Sequence, residues 1–374
     1  MKIILAQWKK PWNETRLREK IGHALEKSGL ATLYFFGRSG PGQSEGLTAN
    51  VRTIADNLPL LAGLWQFFRF CMALKPDALI VASPALLIPS WIYRQFSGCR
   101  LVFDCQENFE WNFAYQESYP AWKSFILPPL VRFFLRNFFN SANRIWLAEK
   151  IYNHQMDYLP AGKWSVFENK VPEAWKDRIF SQKKESDNFN ILFSGVLTEE
   201  AGLSKALNFM EAFGNVYPHT ECRLIGLIPD RKKIEALNQQ FPRADFRFCH
   251  HWAESSSIQE ALQKADAVLI PYRMSRSNKD KFPTKMYEAL FEGKPMFCQK
   301  DSCFYEIARS HGLGIAVDFD SPGHTDFRQI AEEIKTAGGA ERGNAEMVFE
   351  GERLRRDFFG LFAGKHLPNE APDE

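Results

Sequence analysis

The sequence contains no two cysteines spaced as Cys-x-x-Cys; its seven, Cys71, Cys99, Cys105, Cys222, Cys249, Cys298 and Cys303, form an odd and scattered set. That usage excludes a disulfide framework and a zinc ribbon and suits a reducing compartment. A long apolar run is also missing. The most apolar stretch, Phe125 to Phe139, is broken by Pro128, Pro129, Arg132 and Arg136, short of the roughly 20 uninterrupted apolar residues that a spanning helix needs. The apolar run after Met1 ends at Lys9 and Lys10, too soon for a signal-peptide core and cleavage site, so a cytoplasmic location is expected. The formal net charge is only +2, and no nucleic-acid partner is expected. What remains is an ordinary globular composition: 374 residues, 45% hydrophobic and 25% charged. This length favours two domains of about 150 to 200 residues and excludes disorder and fibrous folds.

The small net charge hides an asymmetry. Residues 1–170 carry 20 Lys+Arg against 13 Asp+Glu, a balance of +7, and the remainder carries 27 against 32. An anionic partner is therefore expected on the first half.

Short apolar runs alternate with helical patterns along most of the chain, the rhythm of parallel-sheet βαβ units. In the first half, strands are expected at 3–7, 32–36, 78–82, 100–104, 144–148 and 165–167. Helices are expected between them at 16–28, 58–74, 86–96, 121–139 and 150–158. The polar stretch 181–188 has no apolar period and reads as a linker. A second series follows, with strands at 190–194, 221–226, 246–249, 267–270, 296–298 and 314–317 and helices at 203–216, 231–240, 257–264, 283–292 and 304–312. Residues 347–362 read as a terminal helix, and the acidic, Pro-containing tail after Lys365 reads as disordered. The expected fold is thus α/β, with two Rossmann-like domains.

Ligands of open parallel sheets collect outside the carboxyl ends of strands. Two such loops of the second half stand out. Ser194-Gly-Val-Leu-Thr-Glu-Glu-Ala-Gly202 leaves a strand and opens a helix with glycines at both ends; it suits either a plain turn or backbone amides approaching a phosphate. The strand Ala265-Asp-Ala-Val-Leu-Ile-Pro-Tyr272 runs into the basic loop Arg273–Phe282, and Pro283 then opens a helix. Thr284, Lys285 and Glu288 share one helical turn. A Lys beside backbone amides suits a diphosphate and a carboxylate one turn on suits a ribose diol, although a capped surface helix with a Lys–Glu pair has the same spacing.

The segment from Ala265 through Phe282-Pro-Thr-Lys-Met-Tyr-Glu288 to Gly293-Lys-Pro295 resembles the donor site of GT-B glycosyltransferases of the family 4 type (glycosyl transferases group 1), whose pattern is a strand, P-x-K-x-x-E and then G-K-P. Lys75-Pro-Asp-Ala-Leu-Ile-Val-Ala82, Leu101-Val-Phe-Asp-Cys-Gln-Glu-Asn108 and Ala148-Glu-Lys-Ile-Tyr152 resemble further segments of that family in order. The resemblance implies two Rossmann-like domains facing across a cleft: residues 1–175 on the acceptor side, 185–345 binding a nucleotide sugar, 346–364 crossing back as a terminal helix, and 365–374 as the tail. It implies donor contacts at Gly195, Arg273, Thr284, Lys285 and Glu288, with Glu288 on the ribose and Thr284 and Lys285 near the diphosphate. Asn13 and Arg16 would face the acceptor, and Gln106, Glu107 and Asp280 would stand at the reacting sugar. No metal and no cofactor are implied.

The chain departs from the family where cations are common. Val196 and Ala201 replace an Arg and a Lys that hold diphosphate, and Gln106 replaces a His that Gln cannot match as a base. Arg273, Arg276, Lys279 or Lys281 could restore the charge. Asp318-Phe-Asp320 spells a metal motif but falls late in the second domain, and Cys249-His-His251 has no third ligand at a recognisable spacing; both read as loops. The expected reaction is metal-independent, retaining transfer of a hexosyl or related sugar from a nucleotide diphosphate sugar to a glycan or lipid-linked acceptor, in cell-surface polysaccharide or glycolipid synthesis. A non-catalytic scaffold and a nucleotide-sugar epimerase on the same fold are the rivals. An anionic membrane surface is a further expected partner, because a helix from Pro129 would put Arg132 and Arg136 on one face amid Phe133, Leu135, Phe138 and Phe139.

Overall fold

The computed structural model describes residues 1–39, 50–55, 57–115, 120–177, 189–228, 231–246, 253–272, 274–276, 278–337 and 342–363. The chain divides into two compact units, Met1–Glu173 with Phe349–Glu374, and Ala174–Val348. Each is built on its own all-parallel sheet, so the α/β reading with two Rossmann-like domains describes the fold.

The first unit contains β1 (Lys2–Pro11), α1 (His23–Glu26), β2 (Thr32–Arg38), β3 (Val51–Ile54), α2 (Leu60–Leu74), β4 (Ala78–Val81), α3 (Pro84–Ser97), β5 (Arg100–Cys105), α4 (Phe109–Tyr115), α5 (Ala121–Ser141), β6 (Arg144–Leu147), α6 (Tyr152–Gln155) and β7 (Trp164–Val166). Its strand order is β3-β2-β1-β4-β5-β6-β7. The central strands are near-continuous apolar runs, Ile3–Ala6 and Ala78–Val81 being almost wholly excluded from water, as expected of strands covered on both faces. One face packs against α2, α3 and α5 through Phe67, Leu87 and Phe139. The other packs against Leu17, Ile21 and Leu25 and against the chain's last helix through Leu354 and Phe358.

The second unit contains β8 (Asn190–Val196), α7 (Leu203–Val216), β9 (Glu221–Leu227), α8 (Arg231–Gln240), β10 (Ala244–Asp245), α9 (Ser255–Lys264), β11 (Ala267–Ile270), α10 (Thr284–Phe291), β12 (Met296–Gln299), α11 (Cys303–Ser310), β13 (Gly314–Val317) and α12 (Phe327–Ala337). Its order is β10-β9-β8-β11-β12-β13. The strand order reverses between β8 and β11, and a doubly wound sheet opens its crevice at such a reversal. The final helix, α13 (Gly351–Phe359), belongs to the first unit. A Cβ on Gly351 would lie 2.5 Å from Glu173 and 3.2 Å from Ala24, so the absent side chain lets α13 approach α1.

Several expected elements differ. The helix expected at 16–28 begins as a π-helical stretch, Arg16–Gly22, before α1. The helix at 150–158 shrinks to α6, and β3, α4 and α12 were not expected, although α12 repeats apolar residues at Phe327, Ile330, Ala331 and Ile334. The helix expected at 121–139 is present as α5, which runs from Ala121 through both prolines, with Pro120 O accepting the amides of Lys123 and Ser124 at its start. Of the strand expected at 246–249 the structure has the two-residue β10 just upstream; residues 247–252, with Cys249, His250 and His251, lie outside the described residues, as do the linker at 181–188 and the tail from 365.

Candidate functional site

At the reversal point of the second sheet, β8 ends in Gly195 and Val196 and pairs with β9 so that Gly195 stands opposite Gly226. Both need glycine. Gly226 has φ +151°, and a Cβ there would sit 1.7 Å from Gly195 O; Gly195 has φ +105°, a conformation L side chains rarely adopt. The neighbouring strand β11 runs out through Pro271 and Tyr272 and, after a polar loop, α10 begins at Thr284 with no side chain capping its start.

Lys285, the second residue of α10, is buried. Its Nζ lies 4.6 Å from the centroid of the Phe193 ring and 4.8 Å from that of Tyr272. A Cβ on Gly195 would lie 3.8 Å from the same atom. Among the described residues no acceptor takes a hydrogen bond from the ammonium; two ring faces hold it, a cation–π arrangement. Burial pulls its pKa down to about 7, with Glu288 opposing the shift. The group is therefore a poised cation at the switch-point crevice that gains charge when an anion arrives. Thr284 and Glu288 are half-buried on the same helix. The fold brings Gly195 to Lys285, and Glu288 lies close enough to Lys285 to act on its charge.

Other expected contributors lie elsewhere. Arg273 is outside the described residues; Arg276, Lys279 and Asp280 are exposed and Lys281 is half-buried. The Asp280 carboxylate, after burial, is what raises the Cys303 thiol at the start of α11, which puts Asp280 beside that helix. In the loop 197–202 the amides of Leu197, Ala201 and Gly202 are already committed, that of Leu197 to Leu227 O. Ala201 N donates to Thr198 Oγ1, Gly202 N to Glu199 O, Leu203 N to Thr198 O and Ser204 N to Glu199 Oε2. Ala201 itself packs in the core, where a lysine would have no room. Lys294 of the Gly-Lys-Pro sequence is structural, donating to the carbonyls of Gln263 and Ala265 at 2.9 and 2.7 Å. Asp318 pairs with Lys300 and Asp320 with Lys205, at 2.8 and 2.7 Å. Among the described residues no group of three His, Cys, Asp or Glu could hold a metal ion.

The first sheet reverses between β1 and β4, and its carboxyl edge carries a polar chain. Arg16 is a correction to the acceptor-facing expectation: it is 1% exposed, gives Asp104 three hydrogen bonds of 2.7 to 3.0 Å and donates to Phe167 O at 2.9 Å. Its guanidinium is committed inside the unit. Gln106 Nε2 donates to Asp104 Oδ2 at 3.0 Å and Gln106 Oε1 accepts from Lys10 Nζ at 2.7 Å. Lys10 also pairs with Glu14 at 3.2 Å. Burial alone would lower the Lys10 ammonium, but Glu14, Glu107 and Asp104 hold it above its ordinary value. Glu107 is exposed and accepts from Asn112 at 2.7 Å; Asn13 is half-buried in the turn after β1. Sequence reading missed Lys10, Glu14 and the Phe193–Tyr272 pair. The i, i+4 spacing of Lys10 and Glu14 was the available signal; nothing in the spacing of Phe193 and Tyr272 told of a shared cation.

Residues 175–335 match the family model of the glycosyl transferases group 1. The matched span holds β8 to β13 and every donor-side residue named above. No curated protein matches the chain at a significant level. Solved structures share its fold over almost the whole length. Sucrose-phosphate synthase from Thermosynechococcus elongatus is 14% identical, with 97% of this chain and 98% of that one covered and a TM-score of 0.66. HepE from Anabaena in complex with UDP-glucose is 15% identical over 97% and 100% of the two chains, with a TM-score of 0.63. MnaA from S. aureus with UDP is 12% identical over 100% and 99%, with a TM-score of 0.62. At such identities the likeness is one of fold.

Proposed function

We propose that the chain is a glycosyltransferase of the family 4 type that transfers a hexosyl or related sugar, with retention and without a metal, from a nucleotide diphosphate sugar to a glycan or lipid-linked acceptor in cell-surface polysaccharide or glycolipid synthesis. The observation that carries this reading is the Lys285 ammonium buried between Phe193 and Tyr272 beside Gly195, within the segment that matches the glycosyl transferases group 1.

Negative charge builds on the departing diphosphate as the sugar leaves. A fixed cation and an uncapped helix start aimed at that charge stabilise the transition state more than the ground state. In this reading Lys285 and the first amides of α10 hold the diphosphate, Thr284 supplies a hydroxyl, Glu288 accepts from the ribose diol and Gly195 lets the backbone approach. Arg273 adds a positive charge, and Asp280 has a role at the reacting sugar only if its loop rearranges. On the first unit Gln106 and Glu107 meet the acceptor, with Asn13 beside them. In this reading the leaving phosphate takes the acceptor proton.

A thermal-shift screen of UDP-, GDP-, ADP- and dTDP-sugars tests the reading, uridine nucleotides first, since HepE and MnaA are seen with UDP-glucose and UDP. A ligand at 100 times its Kd adds about 2.7 kcal/mol. Acceptor-dependent release of the nucleotide supports transfer. An altered sugar still joined to its nucleotide would identify an epimerase instead, and no stabilisation by any nucleotide would leave a scaffold.

A further inference from the structure

Three helices of the first unit, α2, α3 and α5, cover one face of its sheet, and their outer sides are apolar. Phe125 is 83% exposed, Leu61 80% and Phe133 71%; Trp65, Phe96 and Trp122 are each 60% exposed. The surface is continuous across the helices. Phe68 of α2 meets Phe96 of α3 at 6.3 Å between ring centroids, and Trp91 of α3 meets Phe138 of α5 at 6.3 Å. A soluble monomer rarely leaves so large an apolar patch uncovered without a partner for it.

The charge on these helices is one-sided. Their sequences contain no Asp or Glu, and their cations are Arg69, Arg94, Lys123, Arg132 and Arg136. Arg132 is neutralised by Glu110 and Asp157 on neighbouring elements; Arg69 and Arg136 are exposed, and Lys123 lies over the Trp122 ring at 5.4 Å. This charge chooses the occupant. Two copies of the chain joined by a two-fold axis through the face would bring like charges together. An anionic lipid surface instead accepts exposed aromatic and aliphatic side chains at the headgroup boundary and basic residues among its phosphates.

We propose that the outer face of α2, α3 and α5 docks on an anionic lipid bilayer, lying in its interface without crossing it. The apolar residues enter the boundary, the tryptophans sit at headgroup depth, and Arg69, Lys123 and Arg136 meet lipid phosphate or carboxylate. No helix among the described residues is long and apolar enough to span the bilayer. This inference stands apart from the donor-site reading, since it uses no residue of the second unit.

Co-sedimentation of the full chain with vesicles of phosphatidylcholine, alone or mixed with phosphatidylserine, tests it. Binding to the anionic vesicles at low salt is expected, falling as salt screens the charges. Each basic residue near the surface is worth about fivefold in partitioning, so Arg69→Glu with Arg136→Glu should cost at least about 25-fold. Leu61→Ser with Phe125→Ser and Phe133→Ser should cost about as much while leaving the melting temperature and nucleotide binding unchanged, because all three side chains are exposed. Absence of salt-sensitive binding, or binding that both sets of substitutions leave unaltered, overturns the proposal. So does a vesicle-free dimer that the serine substitutions dissociate, which would make the face an interface between copies.

Discussion

Lys285 Nζ lies 4.6 Å from the centroid of the Phe193 ring, with Gly195 two residues further along the same strand leaving open the space beside it. The pairing ties a cation on α10 to the end of β8, so the charge cannot swing away from the crevice. It also sets a proton balance. With its pKa near 7 the free lysine loses its charge as pH rises through neutrality, and a bound diphosphate restores that charge by raising the pKa again.

The affinity for a nucleoside diphosphate should therefore fall about tenfold per pH unit above 7, up to the pKa of the complex. Titration calorimetry at several pH values checks this, and Lys285→Met should abolish the dependence. The ligand-free protein behaves oppositely. Between pH 7 and the ordinary lysine value of 10.5 the unfolded chain binds the extra proton, so raising pH favours the folded state. The stability gap between Lys285→Met and the parent should shrink over that window. A gap independent of pH would mean that the lysine keeps its ordinary pKa.

If Glu288 meets the ribose as proposed, Glu288→Ala should weaken the complete nucleotide and the free nucleoside alike, by about ten- to a hundred-fold, since a charged hydrogen bond is worth about 1.5–3 kcal/mol. Lys285→Ala should instead weaken the diphosphate far more than the nucleoside. Paired Kd measurements separate the two roles, and loss of both ligands to the same extent in Lys285→Ala would make that residue structural.

Gly202→Ala probes how the crevice is held. Gly202 has φ +84°, and a Cβ would meet Pro271 O at 2.0 Å, so the backbone of Pro271 must move and Tyr272 with it. We expect a loss of about 1–3 kcal/mol from the strained conformation, read from urea denaturation, and weaker diphosphate binding because the second ring over Lys285 shifts. Unchanged binding in a folded variant would show that Phe193 alone is enough.

These contacts mark where sequence reading succeeds. Central strands such as Ala78–Val81 and Ala267–Ile270 are short apolar runs whose burial on both faces fixes their type, and helical spacing puts Lys285 and Glu288 on one turn without help from the rest of the chain. Arg16 was misread because its partner is 88 residues away; no local pattern distinguishes a buried ion pair from a solvent-facing arginine. The aromatic cage of Lys285 was missed for the same reason, since Phe193 and Tyr272 meet only when β8 and β11 become neighbours. α5 starts at Ala121 as its apolar pattern predicts, and Pro128 and Pro129 do not end it.

The Arg16–Asp104 pair should be costly to break and cheap to replace. Both side chains are essentially excluded from water, so Arg16→Ala or Asp104→Ala leaves a buried charge alone and should cost about 3–5 kcal/mol. Arg16→Met with Asp104→Leu removes both charges and should recover much of that loss. A double variant no better than the singles would mean that the Arg16 bond to Phe167 O, or the Gln106 bond to Asp104, carries the stability instead.

Gln106→Leu separates the first unit's polar chain from the donor site. Gln106 joins Lys10 to Asp104, accepting from one and donating to the other, while its backbone carbonyl accepts from Tyr152 Oη at 3.2 Å. Leucine keeps the backbone contact and the approximate volume but leaves Lys10 with Glu14 alone and removes a donor from a buried carboxylate. The cost in stability should be about 1–3 kcal/mol. Nucleotide affinity, which the proposed donor site assigns to Lys285 and Glu288, should stay within twofold of the parent, and sugar transfer to the acceptor should fall at least about tenfold if Gln106 orients a hydroxyl there. His at this position can both donate and accept, so Gln106→His should hold the chain of bonds and retain transfer. Loss of nucleotide affinity in Gln106→Leu, or full transfer activity in it, would remove Gln106 from the acceptor side.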